Sequence, residues 1–247
     1  MKTILVLIVI NLFTLKTTAQ HKMRSVEELI NNTDPGWIYV QEWIREATNK
    51  VAVLPVDSMR ARDALYKTQV TTRSPMGAVV YMSGGILIDD GWIRILGSGS
   101  NRLLRTLPDW NYGKSIQKWG DVPSFLLIAD DAIGGYYLLN GGGLGADAGK
   151  VYYFAPGNLE YEPLGITYTE FLLFCFNGDL EEFYQEERWM HWREDVPALS
   201  GDEVFSFYPF LWSREGKDIN NCSRKAVPVQ EQYDMHMSMR RTILPGK

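Results

Sequence analysis

Apolar positions fall into three patterns along the chain, and each predicts a different kind of element. The first is a run from Ile4 to Phe13, broken only by Asn11, after the positive Met1-Lys2 start. It is shorter than the roughly 20 residues that span a bilayer. Thr17-Thr18-Ala19 then puts small residues where a signal peptidase cuts, so an export signal over 1–19 is expected, cleaved between Ala19 and Gln20. Gln20 rather than cysteine follows the cut, which argues against a lipid anchor. Initiation at Met23 would instead give a cytoplasmic product.

The second pattern has helical spacing. Ser25-Val26-Glu27-Glu28 has the form of a capping box and opens a short helix ending near Asn32. Asp34-Pro35 offers an N-cap and a first helical position, and Trp37, Val40, Trp43, Ile44 and Ala47 share one face behind it. Asp57 caps a third helix carrying Ala61, Ala64 and Leu65, which predicts an all-helical opening up to Thr71.

The third pattern is short and strand-like. Ala78 to Tyr81, Ile86 to Ile88 and Trp92 to Leu96 read as strands, followed by Phe125 to Ala129, Tyr136 to Leu139 and Val151 to Phe154. No ten-residue helical pattern separates them, so an antiparallel meander is expected rather than crossover units. Thr167 and Asp179 then cap two later helices, with Asn177-Gly178 between them, and Phe205 to Trp212 is a short aromatic segment. Polar from Asp218 onward, the chain is expected to end in a loose tail over 230–247, clearest from Asp234. The predicted fold is α+β: N-terminal helices, a central and mostly antiparallel sheet, and C-terminal helices packed on it, forming one globular domain over 23–229.

Composition narrows the possibilities. An apolar fraction of 45% and an aromatic fraction of 13% suit a packed globule. The net charge of −5 becomes −7 once cleavage removes Lys2 and Lys16. Such a surface has no general attraction for phosphate backbones or anionic lipid, so neither nucleic acid nor, after cleavage, a membrane is an expected partner. Export permits a disulfide between Cys175 and Cys222. Cys175, inside the apolar run Phe171 to Phe176, reads more simply as a buried free thiol.

Few residues suggest catalysis. Gly141 to Ala148 contains G-x-G-x-x-A, but strand-like Val151 to Phe154 follows where a dinucleotide fold needs a helix. Gly97-Ser98-Gly99-Ser100, near Arg102 and Arg105, is the better anion candidate, although no Walker lysine follows it. Asp89-Asp90 and Asp130-Asp131 are acidic pairs suited to cation binding or acid–base work. Adjacent strand residues point to opposite faces, however, and aspartate is a common turn residue. His191 lacks a partner in sequence, the surroundings of Cys175 keep its thiol protonated, and no G-x-S-x-G, H-E-x-x-H or C-x-x-C motif occurs. No cofactor or metal is expected.

Several segments resemble a known bacterial family. Thr71 to Gly77, Gly84 to Gly99, Leu107 to Asn111, Ala129 to Gly135 and Val151 to Pro156 together resemble the domain-of-unknown-function family numbered 2625, over Met23 to about Val229. That family implies no established activity. The order Phe125–Ala129, Gly134-Gly135, Tyr136–Leu139, Val151–Phe154 and Tyr168 to Leu172 also looks like the SUKH immunity-protein superfamily. The second resemblance implies an α+β protein-binding scaffold, often one that neutralises a toxin; an export signal and extra strands before Phe125 are departures from it.

The leading expectation is an exported, periplasmic or extracellular, non-catalytic module that grips a protein or peptide in a groove beside its sheet. Trp92, Arg94, Asp130, Asp131 and Tyr136 are the candidate contacts. The alternative is an extracellular enzyme acting on a small or sugar-like substrate through Asp89, Asp90, Asp130 or Asp131.

Overall fold

The computed structural model describes residues 22–245. The expected signal and its cut at Ala19 and Gln20 lie outside the described residues. Among the described residues, no helix is long and apolar enough to cross a membrane.

The chain opens with α1 (Val26–Leu29), α2 (Trp37–Arg45), β1 (Val51–Val53), α3 (Ser58–Thr68) and α4 (Pro75–Met82). Ser25 and Glu28 form the expected capping box, and Asp57 caps α3 through the Arg60 amide. Three expectations fail in this stretch. Asp34 and Pro35 stay outside α2, whose N-cap is Gly36; the Asp34 carboxylate accepts instead from Tyr39 and Arg73. The opening is not all helical, because Val51–Val53 pairs antiparallel with Ile86–Ile88. Ala78 to Tyr81 is helix rather than strand: Ser74 accepts from the Gly77 amide and Pro75 occupies the first turn. Its residues Gly77 to Val80 are fully covered, so the run lacks the polar face that would have betrayed a helix.

β2 (Gly85–Ile88), β3 (Ile93–Leu96), α5 (Leu107–Asn111), β4 (Phe125–Asp131), β5 (Tyr136–Asn140), β6 (Val151–Ala155) and β7 (Glu160–Pro163) follow. With β1 they form a seven-stranded antiparallel sheet in sequential order, β1 to β7. Next come α6 (Tyr168–Asn177), α7 (Leu180–Phe183), α8 (Trp192–Asp195), β8 (Glu203–Tyr208), β9 (Ser223–Pro228) and α9 (Val229–Ile243), with β8 and β9 paired as a second, two-stranded sheet. The mixed α+β class, the central antiparallel meander and the helices capped by Thr167 and Asp179 after it are as expected.

The meander is covered on both faces. On one, Tyr137 meets Phe171 of α6, and Tyr153 meets Phe183 of α7 and Tyr184. On the other, Tyr136 and Phe154 meet Tyr233 and His236 of α9, and Arg94 reaches the Glu203 carbonyl of β8. Double burial explains why its strands read as continuous apolar runs.

The expected loose tail over 230–247 is therefore incorrect for the residues described there. Gln232, Tyr233 and His236 are buried at helical spacing, and the helix continues to Ile243. Polar and aromatic side chains fill this interface, so no apolar stripe marked it in the sequence.

Candidate functional site

The five candidate contacts all lie inside the protein, with at most 1% of each exposed. Four belong to networks across β3, β4 and β5. Arg94 and Asp130 face each other in register, as do Asp130 and Tyr136. Arg94 Nε donates to Asp130 Oδ1 at 2.6 Å, its Nη1 to the Glu203 carbonyl at 2.6 Å, and its Nη2 to the Asp131 carbonyl. Arg105 binds the other Asp130 oxygen at 2.5 Å and Asp202 at 2.9 Å. The chain of ions runs Arg94–Asp130–Arg105–Asp202 and ties β8 to the meander. Tyr136 completes that face, and burial pushes its phenol well above the ordinary range.

Asp131 points the other way, as alternation along a strand requires. Its carboxylate accepts from the amides of Ile133 (3.1 Å) and Gly135 (2.7 Å) and from the hydroxyls of Tyr153 (2.7 Å) and Tyr184 (3.2 Å). Burial raises its pKa against the pull of those donors. A Cβ on Gly135 would stand 2.2 Å from the Tyr153 hydroxyl and 2.3 Å from Asp131 Oδ2, so only glycine leaves room for this cluster. Trp92 stands apart, beneath a turn, with the rings of Tyr184, Trp189 and Trp192 at 5.1, 5.8 and 5.1 Å. Arg94 borders a pocket of about 230 Å³ shared with Asp90, Gly91, Arg102 and Ser200, while Trp92, Asp130, Asp131 and Tyr136 lie fully covered below the surface.

Above Trp92 the backbone takes an uncommon course. Asp89, Asp90 and Gly91 have successive positive φ of 46°, 60° and 106°. Each aspartate held this way costs on the order of 1–3 kcal/mol and persists only where its surroundings enforce it. Here they do. The Asp89 amide donates to the Lys50 carbonyl at 2.9 Å, Asp90 pairs with Lys50 at 2.6 Å, and Asp89 pairs with Arg188 at 2.9 Å. Arg188 is itself fixed, its guanidinium lying 4.0, 4.8 and 5.4 Å from the rings of Trp192, Trp92 and Tyr184. Its other arm holds Glu181 at 2.6 Å, and Arg193 meets the same carboxylate at 2.5 Å.

Around this turn opens a cleft of about 560 Å³, bounded by Asn49-Lys50, Asp89-Asp90, the α6–α7 junction over 177–181 and Trp192-Arg193. Amides tie its walls together: Thr48 and Asn49 donate to the Phe176 carbonyl, and the Asn49 side chain donates to the Cys175 and Gly178 carbonyls. Asp179 is committed to capping α7. The cleft thus offers positioned charges of both signs. No histidine or cysteine lines it. Among the described residues, no group of three or more His, Cys, Asp or Glu is placed to hold a metal ion.

Other motifs from the sequence resolve structurally. The amides of Ser98, Gly99 and Ser100 donate to the carbonyls of Ser83, Gly84 and Leu103, so the Gly97–Ser100 turn does not present them to an anion. Gly141 to Ala148 connects β5 to β6. Cys175 and Cys222 are both buried and free, and burial pushes the Cys175 thiol well up. His191 is exposed and lies 3.5 Å from Glu194. Sequence reading missed Lys50, Glu181 and Arg188. The one available signal for Arg188 was its place beside Trp189 and near Trp192.

Fold and cleft define an α+β protein with a seven-stranded meander covered on both faces, whose surface feature is an ion-paired cleft over a strained acidic turn. Residues 26–232 match the family described as "Protein of unknown function DUF2625", and the chain belongs to that family. It is 46% identical over 222 residues to "Putative uncharacterized protein YbfG" of Escherichia coli (strain K12), covering 89% of this chain and 99% of that one. It is 44% identical over 216 residues to an "Uncharacterized protein" of Haemophilus influenzae (strain ATCC 51907 / DSM 11121 / KW20 / Rd), covering 87% and 95%. No solved structure matches.

Proposed function

We propose that this protein is an exported, non-catalytic module that binds a protein or peptide segment in the cleft around Asp89–Gly91. One observation carries the reading: the cleft holds charges of both signs, locked by ion pairs and a strained turn, and lacks a histidine or cysteine nucleophile. Pre-set charges select a complementary partner at little ordering cost. Backbone strain retained at a surface cleft is the kind that function maintains. The Ile4–Phe13 run supports export, and the likeness of the middle segment to the SUKH superfamily supports a binding scaffold.

The buried candidates enter this reading as supports. Trp92 cages Arg188, which positions Asp89 and Glu181, while Arg94, Asp130, Asp131 and Tyr136 fix the strands beneath. The enzyme alternative keeps Asp89 and Asp90 at the cleft, each in an ion pair; Asp130 and Asp131 are sealed beneath it.

The test is quantitative capture from native envelope extract with wild-type protein and with Asp90→Ala/Glu181→Ala as baits. Partners enriched by the wild type are expected to fall at least tenfold with the variant while its thermal stability is kept. Identical capture by both baits overturns the cleft as the binding site. Turnover of a sugar or small ester that is lost in Asp90→Asn supports the enzyme instead.

A further inference from the structure

A second concavity lies away from the charged cleft, between the end of α3, the start of α5 and the 116–126 segment. Its volume is about 540 Å³, within the range that takes a small ligand. Val70, Val122, Pro123 and Leu126 supply its accessible apolar surface above the buried Leu107, Pro108 and Ile116, and Val122 is 84% exposed at the mouth. An apolar concavity left open to water, with a large aliphatic side chain standing free at its edge, suits an apolar occupant.

Two further observations narrow the occupant's chemistry. The wall's polar side chains are already engaged. Lys67 pairs with Asp63 at 2.7 Å and Asp109 at 3.0 Å, Thr68 donates to the Ala64 carbonyl, and the Gln69 amide group donates to the Arg24 and Tyr66 carbonyls. A ligand dense in hydrogen-bonding groups, such as a peptide backbone, finds few side chains ready to read it. Two cations face one carboxylate at the rim: Lys22 and Arg24, whose guanidinium is engaged by the Gln69 carbonyl, stand with Asp121, which accepts from the Lys118 amide at 2.8 Å. Apolar walls with a basic edge complement a molecule with an unbranched apolar body and one anionic end.

We propose that this groove binds a free long-chain monocarboxylate, its hydrocarbon laid along Val70, Val122 and Leu126 and its carboxylate beside Lys22 and Arg24. Binding here uses none of the residues of the charged cleft, so the two proposals stand or fall separately.

The experiment titrates the protein, purified as its bacterial host processes it, with saturated carboxylates of 8 to 16 carbons below their micelle concentrations. Calorimetry or thermal shift reads the binding, with the corresponding alcohols as uncharged controls. Affinity is expected to rise about fourfold for each added methylene until the groove is full. Each alcohol is expected to bind about tenfold or more weakly than the acid of the same length. Val122→Glu, at an exposed position that leaves the core intact, is expected to lower acid binding at least tenfold while the melting temperature of the free protein is kept. Lys22→Glu/Arg24→Glu is expected to abolish the preference for acid over alcohol. Absence of binding at every chain length, equal affinity for acids and alcohols, or unchanged binding by Val122→Glu overturns the proposal. Saturation by phospholipid vesicles but not by free acids identifies a membrane surface as the ligand and overturns it too.

Discussion

Replacing Asp130 by asparagine tests the ionic strut that joins the meander to β8. Asp130 is fully buried and holds Arg94 at 2.6 Å and Arg105 at 2.5 Å. Asparagine keeps the shape and one acceptor oxygen but removes the buried carboxylate that Arg94 and Arg105 share. Breaking a buried ion pair on one side costs about 3–5 kcal/mol, because the surviving charge stays desolvated. Arg105 retains Asp202 at 2.9 Å, and Arg94 retains the Asp131 and Glu203 carbonyls, so the lower end of that range applies. For a chain of this size, about 3 kcal/mol lowers Tm by roughly 6–12 °C. The matched control is Asp90→Asn. Its Lys50 pair has side chains 68% and 45% exposed, and its loss costs less than about 1 kcal/mol. Urea unfolding at pH 7, followed by circular dichroism, measures both. Equal, small losses for the two variants would refute the claim that the buried network carries stability.

Three further outcomes follow from particular groups. Burial among aromatic rings pulls His236 down to about 4 from 6.5, so the unfolded chain takes up its proton first as pH falls; stability is present above pH 6.5 and is lost by pH 4, by about 3 kcal/mol. His236→Gln is expected to lose less stability between pH 7 and 4.5 than the wild type, and equal losses in urea titrations contradict this. Burial, reinforced by Asp131, pushes Glu187 up from 4.5 to about 7, so its contribution falls as pH rises through that window; Glu187→Gln is expected to be more stable than wild type at pH 8, by at most about 3 kcal/mol, and no different at pH 4. Gly91→Ala meets no atom within 4 Å, so its expected cost of about 1–3 kcal/mol comes from forcing alanine to a φ of 106°, and an unchanged melting temperature counts against strain in the turn.

The sequence revealed capping and alternation well. Ser25, Asp57, Thr167 and Asp179 each cap the helix that their side chains predicted, because a cap is a local hydrogen bond. The meander was legible for a similar reason, since closely spaced strands leave no room for crossovers. Ala78 to Tyr81 was misread because a helix buried all round loses its polar stripe. Helix α9 was missed because Gln232 and His236, polar in sequence, are buried at its interface. The site was least legible. Residue type suggested that Trp92, Arg94 and the Asp130-Asp131 pair meet a ligand, but long-range pairing with Arg105, Glu203, Tyr153 and Tyr184 buried them. Asp89 and Asp90 did reach the surface cleft, on a turn whose positive φ angles no sequence rule for aspartate requires.

The central claim is that a partner docks at the cleft over Asp89–Gly91. The most direct measurement places a photo-crosslinking amino acid at Asn177, an exposed cleft-lining position that leaves the charged residues in place, and separately at Met190, which is 83% exposed outside the cleft lining, in bacterially expressed protein. A discrete partner crosslinked from position 177, suppressed by Asp90→Ala and absent from position 190, is the predicted result. The same adducts from both positions, or none from 177 while 190 yields a partner, would contradict it.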